Sequence, residues 1–462
     1  MSASRVSEIV IGVDVGTTTI KADALDQDGM VVGSAVARTP WDVNARGEVQ
    51  VAADTLADAA IDVMVRAAES LADGAHVLGI GIAGLAETGV VIDRDGSPVT
   101  PAIAWYDQRG AEELAALPAD FRTEFSATTG LAAKAECSFS KLLWLRANGY
   151  ADLGGQRWLN MLEYIAFRLS GAQATEPSLA SRTGLVDQAA VAAWTATLEM
   201  IGADPTFLPD FAYAGTSIGA VLPTGPVVLR GAAVTVAGHD HLVNSVGAGA
   251  VGSDDLFDSC GTADVILRTV PRTLTNAERG SLVADGLSAG RHVLPDTTAI
   301  LGATRSGLVL GRVLSMLGAR SRKDRRRIAD TWLPDAERSS TVIVSEPGDW
   351  TNEVTVRLLE DASPEQVWAA AIRYVLDDTA ELVKAVTSIA GPYENAVAAG
   401  GWAHLDGVFR GKATVMPGLI ASHVDQAGAR GAAMFAARAA GVDSGALLLN
   451  LPSHATTKEL VT

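Results

Sequence analysis

One pattern occurs twice in this chain: an apolar strand enters a glycine-threonine turn, and a second strand leaves it. The first copy lies within residues 8–35, and the second is residues 256–269. The two copies are about 245 residues apart, which is too far for a solenoid or a propeller repeat. The pattern therefore predicts two similar domains that face one nucleotide.

The turn of the first copy carries groups that suit a phosphate. Gly16 allows backbone N–H groups to approach an anion. The hydroxyls of Thr17 and Thr18 and the ammonium of Lys21 can donate to phosphate oxygens. Asp14, at the end of the first strand, is placed to hold a hydrated Mg²⁺ that offsets the phosphate charge. An ordinary hairpin with a threonine-rich turn is the alternative interpretation.

Composition limits the kind of protein. The chain has 462 residues, enough for two domains, and it is globular rather than disordered because 48% of its residues are apolar. The formal net charge of −18 argues against nucleic acid or an anionic membrane as a partner. Two cysteines form neither a disulfide framework nor a zinc-ligand spacing, which suits a reducing cytoplasm. No signal peptide and no apolar run of bilayer length is visible.

The order of elements predicts a parallel α/β arrangement. A helix at 54–71 is followed by a buried glycine-rich strand at 76–83, and the strand at 9–13 precedes both. A second buried strand, 232–237, ends at Gly238 and continues into His239, Asp240 and His241, where a small-residue helix begins. An acid at this place in an open α/β sheet is typical of a catalytic base. A metal cluster of the two histidines is disfavoured, because zinc sites need three or four ligands.

The segment 101–110 has two interpretations of equal weight. In one, Asp107 caps a helix and Trp105 packs below it. In the other, Trp105 stacks on an apolar face of a ligand while Asp107 and Arg109 bind its hydroxyls. The later segment 175–187 has turn composition and is expected to cross the surface.

The second half of the chain adds three further expectations. The basic cluster Arg320 to Arg327 fits a solvated helix face better than an anion site. Residues 363–389 form a helix with a capping box and a proline at its first position. A strand at 395–399 ends in Gly400 and Gly401, where backbone could lie against a ligand.

Taken together, these residues resemble the FGGY family of carbohydrate kinases, on the duplicated actin-like ATPase fold. The resemblance covers most of the chain, residues 9–441, and its specificity comes from the order and spacing of several short motifs. The motifs are Asp14-Val-Gly16-Thr17-Thr18 with Lys21, Pro101-Ala-Ile-Ala-Trp105-Tyr-Asp107-Gln-Arg109, Ala237-Gly-His-Asp240, Cys260-Gly261-Thr262, Ala399-Gly400-Gly401 and Gly428-Ala-Arg-Gly431.

The resemblance implies an α/β protein of two duplicated actin-like ATPase (ribonuclease H-like) domains with a cleft between them. Residues 1–250 would bind the sugar and carry the base, and residues 251–462 would bind the nucleotide. It also implies phosphorylation of a sugar or polyol hydroxyl with ATP and Mg²⁺, and closure of the domains to exclude water. Asp240 would be the general base and Asp14 would organise Mg²⁺.

The resemblance assigns the remaining nucleotide contacts as well. Thr17, Thr18 and Thr262 would hold phosphates, beside Gly16, Lys21 and Gly261, while Gly400, Gly401 and the turn from Gly428 to Gly431 would border the adenosine. The partner would be a small-molecule sugar or polyol, and not nucleic acid or a membrane. The protein would act in the cytoplasm, and the sequence leaves open whether it forms a homodimer.

Three departures from the family pattern bear on function. Where xylulokinase-like members carry a Gln and Met-His-Gly, this chain has Leu85-Ala86-Glu87-Thr88, so Glu87 resembles the acid of the glycerol kinase Arg-Glu pair without the Arg. His239 and His241 flank Asp240 where many members have Gly-Asp-Asn, which alters the sugar pocket. The Gly-Glu-Arg-x-Pro segment, expected near residues 345–355, is not recognisable.

The leading hypothesis is an ATP-dependent kinase for a ketopentose, such as xylulose or ribulose, or a polyol. An ionised Glu87 accepts hydrogen bonds from hydroxyls and would repel a carboxylate such as that of gluconate. A kinase for a sugar acid and a non-catalytic sugar- or nucleotide-binding paralogue are the alternatives. A conformational ATPase such as actin ranks below them, because it lacks the wall at Trp105 to Arg109 and a base like Asp240.

Overall fold

The computed structural model describes residues 8–71, 75–150, 153–261, 263–331, 341–345 and 353–442. Its strands are β1 Glu8–Val15, β2 Thr19–Leu25, β3 Val31–Arg38, β4 Asp42–Val43, β5 Val49–Val51, β6 His76–Gly84, β7 Gly89–Ile92, β8 Ala102–Ile103, β9 Arg157–Asn160, β10 Val186–Asp187, β11 Ala192–Ala193, β12 Gly219–Ala220, β13 Ala233–His239, β14 Asp255–Cys260, β15 Asp264–Val270, β16 Ser288–Arg291, β17 Thr298–Thr304, β18 Val342–Ser345, β19 Thr355–Leu358, β20 Asn395–Ala399 and β21 Leu419–Ala421.

The α-helices are α1 Ala53–Glu69, α2 Ala111–Ala115, α3 Ala119–Thr129, α4 Ser138–Ala147, α5 Met161–Ser170, α6 Pro177–Ala180, α7 Thr195–Ile201, α8 Asp240–Gly247, α9 Asn276–Ala284, α10 Ser306–Met316, α11 Arg322–Ala329, α12 Pro364–Ala390, α13 Asp406–Val415 and α14 Ala427–Ala439. In the described part of the chain, no helix combines the length and apolar character needed to cross a membrane.

The chain divides into two compact units. Unit 1 contains the residues up to Gly247, the segment Val270–Ala299 and the segment that begins at Gln426, whereas unit 2 contains Ala248–Thr269 and Ile300–Asp425. The predicted division at residue 250 therefore differs from these units, because two later segments return to unit 1.

Unit 1 is built on a mixed sheet with the strand order β12-β13-β6-β1-β2-β3. β1 is antiparallel to β2 and parallel to β6, and β6 is parallel to β13. Side chains alternate between the faces of a strand. Ile11 and Val13 of β1 therefore face one side, where they share a core with Leu56 of α1 and Ile165 of α5.

Helix α14 lies on the opposite face of this sheet at backbone contact distance. A Cβ added to Gly12 of β1 would stand 1.8 Å from the carbonyl oxygen of Ala429, and one added to Gly81 of β6 would stand 1.9 Å from that of Ala432. Only glycine permits such an approach. This packing explains why the segment that begins at Gln426 belongs to unit 1. The expected turn at Gly428 to Gly431 is wrong, because both glycines lie inside α14.

The segment Val270–Ala299 is bound to unit 1 through helix α3. Arg279 of α9 donates from Nε to the carbonyl oxygen of Ala127 at 2.8 Å. The backbone N–H of Ala289 donates to the carbonyl oxygen of Gly130 at 2.9 Å.

Unit 2 repeats the plan of unit 1 with its own sheet. Its strands follow the order β17-β15-β14-β20-β21, in which β14 is antiparallel to β15 and parallel to β20. The long helix α12 packs Trp368, which is fully buried, against Val309 of α10. Ser363 and Gln366 form the predicted capping box at the start of α12. Helix α11 carries most of the basic cluster, whose described side chains lie largely at the surface.

Candidate active site

The carboxyl ends of three parallel strands of unit 1 lie side by side. Val15 of β1 pairs with Gly84 of β6, and His239 of β13 pairs with the same Gly84. Residues that follow these strands therefore share one edge of the sheet, which is the usual ligand-binding edge of an open α/β sheet. Asp14 and Asp240 lie at this edge.

Asp240 is the first residue of α8, and its side chain is 24% exposed. Its Oδ1 accepts a hydrogen bond from the backbone N–H of His241 at 2.7 Å. The Nε2 atoms of His239 and His241 lie 3.2 Å and 3.8 Å from the same oxygen. All contacts given by the described residues thus end on Oδ1, so Oδ2 can accept a proton from another molecule.

His239 is buried and neutral. Burial lowers the pKa of its imidazole well below the usual value, and the charges of His241, Arg182 and His292 lower the pKa further. The ligand atoms of His239, Asp240 and His241 lie within 4.8 Å of one another, which is close enough to chelate a metal ion. The preference against a metal at this place stays a prediction.

Asp14 meets the requirements of a cation ligand. Its Oδ1 is buried and has no hydrogen-bond partner among the described residues. Burial, followed by the charge of Asp240, raises the pKa of its carboxyl to about 7, while Lys21 lowers it. A divalent cation would satisfy the unpaired oxygen and the like-charged pair together, so these residues fit Mg²⁺.

Two tryptophans hold the first glycine-threonine turn. Trp41 donates from Nε1 to the carbonyl oxygen of Thr17 at 2.6 Å, and Trp105 donates from Nε1 to the hydroxyl of Thr17 at 3.0 Å. Gly16 donates its N–H to the carbonyl oxygen of Thr19 at 3.0 Å, and Thr18 is exposed. Trp105 therefore connects the predicted sugar wall with the predicted phosphate turn.

Asp107 and Arg109 bind each other inside the protein. Arg109 Nε lies 2.8 Å from Asp107 Oδ1, and the backbone N–H of Val49 in β5 donates to Asp107 Oδ2 at 2.6 Å. Burial raises the pKa of Asp107, but the bonds from Arg109 and Val49 outweigh it and hold the pKa below its usual value. Arg109 also donates to Gln50 at 2.8 Å. The pair supports the loop that carries Trp105, and contact with a substrate stays a prediction.

Glu87 has the arginine partner that the local sequence lacks. Arg182 Nε lies 2.7 Å from Glu87 Oε1, and Arg182 also donates to Ser288 Oγ at 3.0 Å. Burial raises the pKa of Glu87, whereas Arg182 lowers it. Glu87 has a φ of 29°, which is unusual for a residue with a side chain, and Thr88 Oγ1 is buried without a hydrogen-bond partner among the described residues.

The segment 175–187 supplies site residues that the sequence analysis missed. The expectation that it crosses the surface is wrong, because most of its residues are buried. Ser178 accepts a hydrogen bond from the backbone N–H of His239 at 3.1 Å and donates to the buried carboxyl of Glu176. Glu176 directly before Pro177 is a helix-start signal that could have revealed α6.

The second glycine-threonine turn lies in unit 2 between β14 and β15. Gly400 has a φ of 110°, and a Cβ added there would stand 2.5 Å from the carbonyl oxygen of Cys260. The predicted nucleotide contacts Gly261, Gly400 and Gly401 are thus grouped, whereas Thr262 lies outside the described residues. Residues 346–352 of the segment that departs from the family pattern also lie outside them.

Comparison with known proteins identifies the first half of the chain. Residues 9–247 match the sequence profile of the N-terminal domain of the FGGY family of carbohydrate kinases. The chain is 28% identical to glycerol kinase of Thermococcus gammatolerans over 207 residues, which are 44% of this chain and 42% of that enzyme. It is 24% identical to L-fuculokinase of Escherichia coli K12 over 267 residues, 56% of each chain. The matches thus span about half the length of these relatives.

Solved structures show the same fold over nearly the whole chain. Gluconate kinase from Lactobacillus acidophilus superposes with a TM-score of 0.84 at 18% identity, covering 97% of this chain and 92% of that one. Xylulose kinase from Rhodospirillum rubrum gives a TM-score of 0.83 at 21% identity, covering 97% and 94%. At these identities the likeness shows the fold alone, and it confirms the predicted α/β, actin-like two-domain class.

Proposed function

This chain belongs to the FGGY family of carbohydrate kinases, and we propose that it transfers the γ-phosphoryl group of ATP to a hydroxyl of a small neutral sugar or polyol. One observation carries the proposal: Asp240 stands at the carboxyl end of β13 with its described contacts on Oδ1 alone. A carboxylate held in this way is oriented as a general base.

The base acts through its second oxygen. The hydroxyl of the substrate would donate to Asp240 Oδ2, and its proton would pass to this oxygen as the substrate oxygen attacks the γ-phosphorus in line. The bond from the γ-phosphorus to the β,γ-bridging oxygen would break at the same time, and ADP would leave with that oxygen. The backbone N–H of His241 binds Oδ1, and the imidazole of His239 lies 3.2 Å from it, so both groups favour one orientation of the carboxylate. Phosphoryl transfer depends on alignment more than on covalent chemistry, so this fixed orientation is the main contribution of the site.

Asp14 would hold the metal. Mg²⁺ that arrives with ATP would offset the charge of the transferred phosphoryl group. Asp14 Oδ1, which is buried and unpaired among the described residues, is the oxygen best placed to bind it. Gly428 of α14 provides the room, because a Cβ there would stand 2.8 Å from Asp14 Oδ2.

The Glu87–Arg182 pair supports a polyhydroxylated acceptor. Glu87 offers carboxylate oxygens that accept from hydroxyls, and Arg182 offers guanidinium N–H groups that donate to them. Trp105 adds an apolar wall, and His239 and His241 line the base. A ketopentose such as xylulose or ribulose, or a polyol such as glycerol, carries adjacent hydroxyls and little net charge, which matches this set.

Arg182 also favours a second candidate, a kinase for a sugar acid. The expectation that Glu87 repels a carboxylate assumed an unpaired acid, but Arg182 balances its charge at 2.7 Å. A partly exposed guanidinium can bind a carboxylate in the bidentate manner. One protein with the same fold is a gluconate kinase.

Each glycine-threonine turn would contribute nucleotide-binding groups within its own unit. Gly16, Thr17, Thr18 and Lys21 supply donors in unit 1, and Gly261, Thr262, Gly400 and Gly401 supply the second set in unit 2. A cytoplasmic location is consistent with Cys137 and Cys260, which are both free thiols. That location and a homodimer remain part of the proposal.

ADP release with Mg-ATP tests the proposal against a panel of ketopentoses, tetritols, pentitols, glycerol and gluconate. The Asp240→Asn variant is the catalytic control, and Asp62→Asn, a surface residue paired with Arg66, is the matched control that keeps activity. Strong turnover of one neutral compound, lost only in Asp240→Asn, supports the proposal. Turnover of gluconate alone supports the sugar-acid kinase. If no compound of the panel causes ADP release although the protein binds ATP, the result supports the non-catalytic paralogue.

A further inference from the structure

A fully buried lysine in unit 2 is not used by the proposed chemistry. Lys412 of α13 is 1% exposed, and its Nζ lies 2.7 Å from Asp258 Oδ2 of β14 and 2.6 Å from Asp264 Oδ2 of β15. Cys260 Sγ lies 3.5 Å from the same nitrogen. A buried charge of this kind is costly unless it is paired, so its position calls for an explanation.

The ammonium stands where a metal ion could stand. The ligand atoms of Asp258, Cys260 and Asp264 lie within 4.8 Å of one another. Burial lowers the pKa of Lys412, but the two aspartates raise it well above its usual value, so the ammonium keeps its charge. Burial raises the pKa of the Cys260 thiol well above its usual value, so the sulfur is a neutral neighbour. Lys412 therefore acts as an internal counter-cation.

The three partners of Lys412 surround the second glycine-threonine turn. Cys260 and Asp264 are the last pair of the β14–β15 hairpin, and the turn itself begins at Gly261. A buried bond to Asp264 and a contact with Cys260 therefore fix both sides of the base of this turn. Lys412 also binds Asp258, which lies in β14 two residues before Cys260 and so further from the turn.

Lys412 also belongs to the element that follows the second predicted nucleotide loop. Gly400 and Gly401 precede a 3-10 helix, Gly401–His404, and α13 begins at Asp406. Gly400 itself approaches the carbonyl oxygen of Cys260, because a Cβ there would stand only 2.5 Å away. One side chain thus joins the turn at Gly261 to the helix that carries the loop at Gly400.

We propose that Lys412 is a positioning residue for the nucleotide: it fixes the turn at Gly261 against the loop at Gly400 through Asp258 and Asp264. The inference rests on the proposed function, since it assumes that these loops bind ATP. It does not concern Asp240, Glu87 or any residue of unit 1.

Calorimetric titration of the full chain with Mg-ADP tests this, with thermal unfolding measured in parallel. Lys412→Met leaves two buried carboxylates without their cation, so both stability and nucleotide affinity fall, with a Kd raised about tenfold to a hundredfold by the displaced loops. The Asp258→Asn/Asp264→Asn/Lys412→Met variant carries no buried charge at this place. We expect it to regain most of its melting temperature while its Kd stays raised by about tenfold or more.

Arg268→Met provides the matched control in the same unit. Arg268 is fully buried in β15, but it donates to the carbonyl oxygens of Gly391 and Ser253, away from the turn. Its loss lowers the melting temperature and leaves the Kd for Mg-ADP near that of the wild type.

The outcomes separate this inference from the proposed function. A charge-free variant that regains both stability and affinity would show that Lys412 only balances charge, and would overturn the inference. So would an unchanged Kd in Lys412→Met. If the wild type itself fails to bind Mg-ADP, the proposed nucleotide site is wrong, and the role of Lys412 falls with it.

Discussion

The guanidinium of Arg182 lies 2.7 Å, Nε to Oε1, from the carboxylate of Glu87, 95 positions away in sequence. The bond joins a strained residue after β6, with a φ of 29°, to a buried segment that contains α6. The pair sets one acid against one base near Asp240, whose charge also raises the pKa of Glu87. In the proposed sugar site, the polarity therefore depends on both residues and not on Glu87 alone.

Arg182→Met is expected to weaken the sugar site and the fold together. It leaves Glu87 buried without its cation, which typically costs about 3–5 kcal/mol. We expect the KM for the best sugar or polyol to rise at least about tenfold, since the site loses its guanidinium donors. Urea unfolding and steady-state kinetics with the sugar and ATP varied separately measure both effects.

Glu87→Gln/Arg182→Met completes a double-mutant cycle with the two single variants. Removing both charges should return most of the stability while the sugar KM stays high. Additive effects of the two single changes would contradict a functional pair. If the KM for ATP rises and the KM for the sugar does not, the pair acts at the nucleotide site, and its assignment to the sugar site is wrong.

Asp240→Asn is expected to lower kcat by about 10²–10⁴-fold, the usual contribution of a general base. The amide keeps the shape of the side chain, so binding of ATP and sugar should change little. Single-turnover phosphoryl transfer and equilibrium binding of each substrate measure the two separately. Activity near that of the wild type would remove Asp240 from the role of base.

Gly428→Ala is expected to impair metal use without unfolding the protein. The added methyl would stand 2.8 Å from Asp14 Oδ2 and 3.1 Å from Asn244 Oδ1, so Asp14 must shift. We predict that the Mg²⁺ concentration for half-maximal activity rises at least about tenfold, because ligand geometry around this ion is strict. Gly280→Ala in α9 is the control, since the nearest atom to its added methyl lies 3.8 Å away. Equal Mg²⁺ dependence of the two variants would argue against Asp14 as the ligand.

Glu163 is expected to make the protein less stable as the pH rises. Burial raises the pKa of its carboxyl from 4.5 to about 8, although two backbone N–H groups, those of Asn160 and Glu176, donate to it. Between about pH 5 and pH 8 the unfolded chain releases this proton while the folded chain keeps it. The free energy of unfolding should then fall with pH, by up to about 1.4 kcal/mol per pH unit from this group.

Glu163→Gln isolates the contribution of this group, since Asp14 and Glu176, whose pKa values are both raised to about 7, act in the same direction. The variant loses one acceptor and is less stable at low pH, where Glu163 is protonated, but its free energy of unfolding should depend less steeply on pH. Urea titrations at several pH values give this slope. A slope equal to that of the wild type would show that Glu163 does not titrate in this window.

Local sequence was sufficient to predict the residues at the ends of strands. Asp14 and Asp240 each end an apolar run, and their place at one sheet edge follows from the parallel order of β1, β6 and β13. The capping box of α12 was equally predictable from the sequence, because it needs only Ser363 and Gln366 three positions apart. In these places, the sequence pattern and the structural feature that it predicts involve residues that are close together in the chain.

Contacts across long sequence separations could not be predicted in the same way. Arg182 meets Glu87 across 95 positions, and Lys412 meets Asp264 across 148. Their segments show only turn composition or an ordinary helix, and a buried charge leaves no periodic trace in the sequence. The partner of each charge is fixed by the tertiary fold, so the sequence analysis identified Glu87 but missed Arg182 and the whole cluster around Lys412.

The packing of α14 on Gly12 and Gly81 has a consequence for how the chain is made. β1 is the first strand that the structure describes, yet one face of its sheet is covered by residues 427–439, and most of unit 2 lies between the two in sequence. During synthesis, unit 2 has therefore left the ribosome before unit 1 can complete its core, and until then the glycine face of β1 and β6 is open to chaperones and to misassembly. A nascent chain in which α14 has not left the ribosome should remain bound to a chaperone. A chain in which all residues up to 442 are outside the ribosome should be released.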